Sequence, residues 1–121
     1  MGVMRITIGG CRDFCDYDLF SKMVNEYIET ECRGEKIIIL SGHCSGTDLM
    51  AERYAKEKGY DLEIFPAQWD KYGRGAGPKR NKEMVEKSDC VIAFWNGKSR
   101  GTKNLVETAE KLNKQIAVKS I

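Results

Sequence analysis

A three-layer α/β sandwich around a five-stranded parallel sheet follows from three observations on this chain of 121 residues. Apolar runs with strand character alternate along its length with segments whose apolar residues recur at a helical period. Two of those runs, 36–40 and 89–95, are almost unbroken, as strands covered on both faces of a parallel sheet are. Three strand ends run into glycine-bearing turns, two of them also rich in hydroxyl residues, and helices follow them. Right-handed crossovers with one reversal of direction give the strand order 3-2-1-4-5, a Rossmann-like arrangement of one domain spanning 1–121.

Each element has its own signal. Residues 4–10 form the first strand and end in Gly9 and Gly10, and 11–16 are a loop. Asp16 or Asp18 caps a helix carrying Leu19, Phe20, Met23, Val24, Tyr27 and Ile28 on one face, closed by Gly34. The strand 36–40 leads into the turn 41–48, and a helix runs from Thr47 to Lys58, ended by Gly59. Residues 62–65 are the third strand. Residues 66–77 read as irregular, and Pro78 suits the first turn of a short helix with Met84 and Val85. The fourth strand ends at Trp95, the turn 96–102 follows, and the next helix places Leu105, Val106, Ala109 and Leu112 on one face. Residues 116–118 are the fifth strand.

The bulk numbers set bounds. A content of 41% hydrophobic and 31% charged residues is that of a globular chain with a core. No apolar run reaches the roughly 18 residues of a membrane span, and no signal-peptide pattern opens the sequence. Five cysteines, an odd number, then predict reduced thiols and a cytoplasmic location, with no membrane partner. Twenty basic against 18 acidic residues argue against nucleic acid as a partner.

Ligands of such sheets bind beyond the carboxyl ends of the strands, at the reversal, which here lies between the first and fourth strands. The 10–16 loop therefore faces the 96–102 turn, with the 41–48 turn beside them. In the 96–102 turn, Gly97 and Gly101 let backbone approach a ligand, Ser99 and Thr102 add hydroxyls, and Lys98 and Arg100 add charge. Helix-start amides from Ser99 to Thr102 complete an anion cradle. It is not a Walker A loop, because Ile92 stands where that loop needs its first glycine.

These residues are similar to those of the SLOG superfamily, which includes the LOG, DprA and YspA/YpsA-like proteins, and most of all to its small YspA-like branch. The resemblance rests on Gly10-Cys11-Arg12-Asp13-Phe14, on Leu40-Ser41-Gly42 with Gly46 and Asp48, and on Ala67, Trp69, Tyr72 and Gly73. It continues through Ala76-Gly77-Pro78, Arg80-Asn81 and Met84, then Ala93-Phe94-Trp95 with Gly97, Ser99, Gly101 and Thr102. It implies a nucleotide or nucleotide-derived ligand, an ADP-ribose-like compound among the options, for a sensor, carrier or sequestering protein. It also implies a homodimer or higher homo-oligomer formed through helices flanking the sheet. LOG proteins hydrolyse N-glycosidic bonds with the glutamate of Gly-Gly-x-Gly-Thr-x-x-Glu, and here that position is Leu105. Glu107 is two residues late, about 200° around a helix, and belongs to the solvated face.

The candidate ligand-binding residues are Gly10, Arg12, Ser41, Gly42, Gly46, Asp48, Trp69, Tyr72, Arg80, Asn81, Gly97, Ser99, Arg100, Gly101 and Thr102. Arg12 either grips a phosphate or pairs with Asp13, Asp16 or Asp48. Asp48 either answers the helix dipole or turns to a ribose hydroxyl or an arginine. Between Pro66 and Lys82 five cations (Lys71, Arg74, Lys79, Arg80, Lys82) stand against Asp70 alone, and Arg80 matches an arginine of the LOG nucleotide site. Trp69 and Tyr72 either close over a base or anchor their loop. Cys11, Cys15, His43 and Cys44 lack a Cys-x-x-Cys pair, so no metal or other cofactor is assigned. No residue is assigned as catalytic. Binding without chemistry and hydrolysis at an anomeric carbon with Asp48 as the carboxylate both stay open.

Overall fold

The computed structural model describes residues 2–121. Five parallel strands, β1 (Val3–Gly10), β2 (Lys36–Ser41), β3 (Asp61–Ile64), β4 (Cys90–Trp95) and β5 (Gln115–Ser120), form one sheet in the order β3-β2-β1-β4-β5. Ile6 lies opposite Ile39 on one side, and Ile8 lies opposite Ile92 on the other. The helices are α1 (Tyr17–Glu31), α2 (Thr47–Lys58), the one-turn α3 (Trp69–Tyr72), α4 (Ala76–Lys87) and α5 (Arg100–Lys111). No described helix is long and apolar enough to cross a membrane.

Strand alternation divides the core in two. On one face Ile6, Ile8, Ile39, Cys90, Ile92 and Phe94 pack against Phe20 and Val24 of α1 and Ala51 and Tyr54 of α2. On the other, Val91 and Ala93 meet Met84 and Val85 of α4 and Leu105 and Ala109 of α5. Consecutive residues of β4 thus serve opposite layers, which is why that strand is apolar throughout. Asp16, rather than Asp18, caps α1 by accepting the Leu19 amide at 3.1 Å, and Gly59 ends α2 in the left-handed conformation.

The segment 66–77, expected to be irregular, holds more structure than its composition suggests. It carries α3, a 3-10 turn at Gly73–Gly75 and the first two residues of α4. α4 therefore begins at Ala76, two residues before Pro78. Proline is compatible with that first turn because an amide there has no helical partner to lose. The crossover from β3 to β4 is long enough to carry a wall beside the carboxyl edge of the sheet.

Candidate functional site

At that edge, between the ends of β1 and β4, lies a cavity of about 410 Å³. Four stretches of chain build it: the end of β1 with Arg12, the loop before α2 with its first turn, the run from α3 into α4, and the first turns of α5. The candidates Gly10, Arg12, Asp48, Trp69, Arg80, Asn81, Ser99, Arg100, Gly101 and Thr102 all line it.

The α5 wall is set by its cap. Ser99 is the N-cap, and its Oγ accepts the Thr102 amide at 3.3 Å and the Thr102 hydroxyl at 3.0 Å. Asn96 Oδ1 accepts the amides of Lys98 and Ser99 at 2.8 and 3.0 Å. The anion cradle is thus narrower than the expected run from Ser99 to Thr102, because both end amides already have side-chain partners. The amides of Arg100 and Gly101 remain, and a helix start offers them no internal acceptor.

Arg12, Arg74, Arg80 and Arg100 line the same cavity as these amides. Arg12, Arg74 and Arg100 are exposed and form no ion pair among the described residues, so the pairing of Arg12 with Asp13, Asp16 or Asp48 does not occur. Arg80 is more constrained. It donates to the carbonyls of Gly42 at 2.5 Å and Phe65 at 3.3 Å, and through Nε to Asn81 Oδ1 at 2.9 Å. It ties the ends of β2 and β3 to α4 and adds its charge to the cavity.

Asp48 is the one carboxylate on the cavity lining, and it is 6% exposed. Burial pushes its carboxyl up to about 6, although the amides of Cys44 and Gly10 and the charge of Arg80 pull the other way. Trp69 stands at the mouth, 47% exposed, with its ring against Gly77, where an added Cβ would sit 3.2 Å from the indole. A ring so exposed does not anchor its loop in the core.

Five candidates lie elsewhere. Ser41 is fully buried, donates its one hydroxyl hydrogen to Glu52 Oε2 at 2.9 Å, lies 3.1 Å from the Asp48 carbonyl, and accepts the His43 amide. Gly42 separates Arg80 from Asp48, and Gly46 lies against the Arg12 carbonyl; both are spacers behind the cavity wall. Gly97 is an exposed turn residue with φ +81° and nothing within 4 Å of its would-be Cβ. Tyr72 lines a separate hollow with Ile64, Gln68 and Lys79.

Gly9, Cys44, Arg74, Gly77, Pro78, Met84, Asn104 and Leu105 also line the cavity and were not among the candidates. Asn104 was findable in principle, being three residues after Gly101 and so on the same side of α5. Leu105, at the LOG glutamate position, is 3% exposed and faces the cavity, while Glu107 is on the solvated face. Cys11 is buried, Cys15 exposed and His43 Nδ1 bonded to Glu52 at 2.8 Å. Among the described residues no group of three or more His, Cys, Asp or Glu is placed to hold a metal ion.

A family model described as the YspA, cpYpsA-related SLOG family matches residues 4–72, more than half of the chain, and the chain belongs to that family. It is 33% identical over 81 residues to the Gene 61 protein of Mycobacterium phage D29, covering 62% of this chain and 65% of that protein. Its fold is similar to that of DNA processing protein A from Helicobacter pylori, with a TM-score of 0.66 and 19% identity, over 95% of this chain and 64% of that one. The chain thus spans just under two thirds of the length of each. The Helicobacter protein has a described single-stranded DNA binding mode, which overturns the expectation that net charge speaks against nucleic acid. The physical reason is that the relevant charge is local: four arginines meet at one cavity whatever the total for the chain.

Proposed function

We propose that this SLOG-family chain binds a nucleotide or nucleotide-derived small molecule in the cavity between β1 and β4. The observation that carries this reading is the meeting of Arg12, Arg74, Arg80 and Arg100 with the open amides of Arg100 and Gly101 in one hollow of about 410 Å³. That volume is in the range of small-molecule sites. Phosphate sits on the two amides with Arg12 and Arg100, where charge-assisted hydrogen bonds are strongest. The base lies toward Trp69, whose half-exposed ring suits stacking. An ADP-ribose-like compound fits the same arrangement, and the role is that of a sensor, carrier or sequestering protein.

Binding without hydrolysis is the better-supported reading. Glycosidic cleavage ordinarily needs two carboxylates flanking the bond. The cavity lining has Asp48, and the LOG glutamate position holds Leu105. Thermal shift with AMP, ADP, ADP-ribose and adenosine, with chromatography for free base, tests this. Stabilisation without base release supports it. Steady release of adenine assigns the alternative, hydrolysis with Asp48 as the carboxylate.

One observation favours a second reading, in which the nucleotide unit belongs to single-stranded DNA. The fold is that of a single-stranded DNA-binding protein, and Arg12, Arg74 and Arg100 stand exposed where a strand could pass. Affinity for an oligonucleotide that exceeds that for AMP and falls steeply with salt supports it.

A further inference from the structure

The α4 and α5 walls are joined by a hydrogen-bond chain whose direction is forced. Arginine has donors and no acceptor. Arg80 Nε lies 2.9 Å from a side-chain atom of Asn81, so that atom is Oδ1. The Nδ2 of Asn81 then faces Asn104 Oδ1 at 2.9 Å and the Gly101 carbonyl at 3.5 Å. A carbonyl only accepts, so Gly101 independently demands the same orientation. Asn81 is 6% exposed and could not turn over without setting oxygen against oxygen. The Asn104 amide therefore has its oxygen occupied by Asn81. Its Nδ2 is left without a partner among the described residues, on a side chain that lines the cavity.

We propose that Asn104 is a specificity-determining donor of this cavity, its NH₂ group turned toward a phosphoryl oxygen of the ligand by the one-way chain Arg80 to Asn81 to Asn104. This rests on the nucleotide reading above and deepens it. Helical side chains lean toward the N-terminus, so the Asn104 amide overlies the turn that begins at Arg100, beside the open amides of Arg100 and Gly101. Three donors then converge with no acceptor among them, which selects an acceptor-only group and rejects one that brings its own hydrogen.

The test uses the isotope-labelled full chain, with inorganic phosphate, AMP and adenosine as probes. Phosphate shifts the Asn104 side-chain NH₂ signals together with the Arg100 and Gly101 amides. Asn104→Ala weakens AMP about tenfold and leaves adenosine unchanged. Asn104→Asp weakens AMP further, by placing a carboxylate against phosphate. Asn81→Asp accepts from both Arg80 and Asn104, which rotates the Asn104 oxygen into the cavity and weakens AMP at least as much as Asn104→Ala. Retained thermal midpoints separate these losses from unfolding. Suppose phosphate moves the Arg100 and Gly101 amides but not the Asn104 NH₂, or Asn104→Ala binds AMP as the parent chain does. The role of Asn104 is then wrong, and the nucleotide reading stands. If neither phosphate nor AMP moves any signal, the nucleotide reading fails and takes this inference with it.

Discussion

The turn after β2 and the turn after β4 are built from the same vocabulary of glycine, serine and threonine, and they do opposite things. In the first, residues 41–48, nearly every polar group is matched inside the protein. Ser41 is held by Glu52 and the Asp48 carbonyl, the Cys44 amide by Asp48, and Thr47 by the Cys11 carbonyl. In the second, residues 96–102, the cap satisfies Ser99 and Thr102 and leaves the amides of two cavity-lining residues, Arg100 and Gly101, without a partner among the described residues. Composition announces a tight turn. What makes one a scaffold and the other a candidate anion site is how many of its donors find partners in neighbouring segments.

The sharpest break of that contrast is a methyl group in each turn. Gly46 has φ +73°, and a Cβ there would lie 2.2 Å from the Arg12 carbonyl oxygen, so Gly46→Ala should cost roughly 3 kcal/mol or more in urea unfolding. Gly101→Ala meets nothing within 4 Å and occupies the first turn of α5, so it should leave stability within about 1 kcal/mol of the parent. Equal losses at the two sites would end the distinction.

Ser41→Ala comes next in size. It removes a partner of the buried Glu52 carboxylate and of the His43 amide, and should lower unfolding stability by about 1–3 kcal/mol. Arg100→Ala should do the reverse in kind, leaving the thermal midpoint in place while weakening AMP about tenfold by calorimetry. A folding defect in Arg100→Ala, or an AMP defect without instability in Ser41→Ala, would reassign the two turns.

The smallest effect is expected where the two regions meet, at Asp48. Its carboxyl is raised from 3.8 to about 6, so between those values the folded chain binds more protons than the unfolded one. The contribution of Asp48 to stability is therefore full below 3.8 and is lost as pH rises through about 6. An anion bound nearby favours the protonated form. ADP-ribose, whose diphosphate does not titrate in this window, should bind a few-fold more tightly below about 6 than above it, with proton uptake in calorimetry. Asp48→Asn should flatten that dependence.

Much of this was readable from residue order. The alternation of strands and helices, the sheet order and the meeting of Arg12, Asp48 and Gly101 at one edge follow from periodicity and the handedness of crossovers, while Arg80 was pointed to by the family resemblance. Ser41 and Tyr72 show where such reading stops. The Ser41 hydroxyl has the composition of a ligand group, but Glu52, eleven residues away and one helix over, takes it. Tyr72 lies three residues from Trp69 in the same turn of helix, yet Trp69 lines the cavity and Tyr72 a different hollow, because α4 and the end of β3 pack against them from elsewhere in the chain.

The sequence by itself determined the layers of this protein and the edge at which its strands end, because helical and strand periods are local and the crossover hand is a matter of chirality. Only the tertiary structure decided which donors stay open. Whether Asn81 turns to Asn104, or Arg80 to the carbonyls of Gly42 and Phe65, depends on which acceptors distant segments leave unmatched. A hydrogen bond is a property of a pair. Its second member is set by packing across the whole sheet edge and by nothing adjacent in the chain.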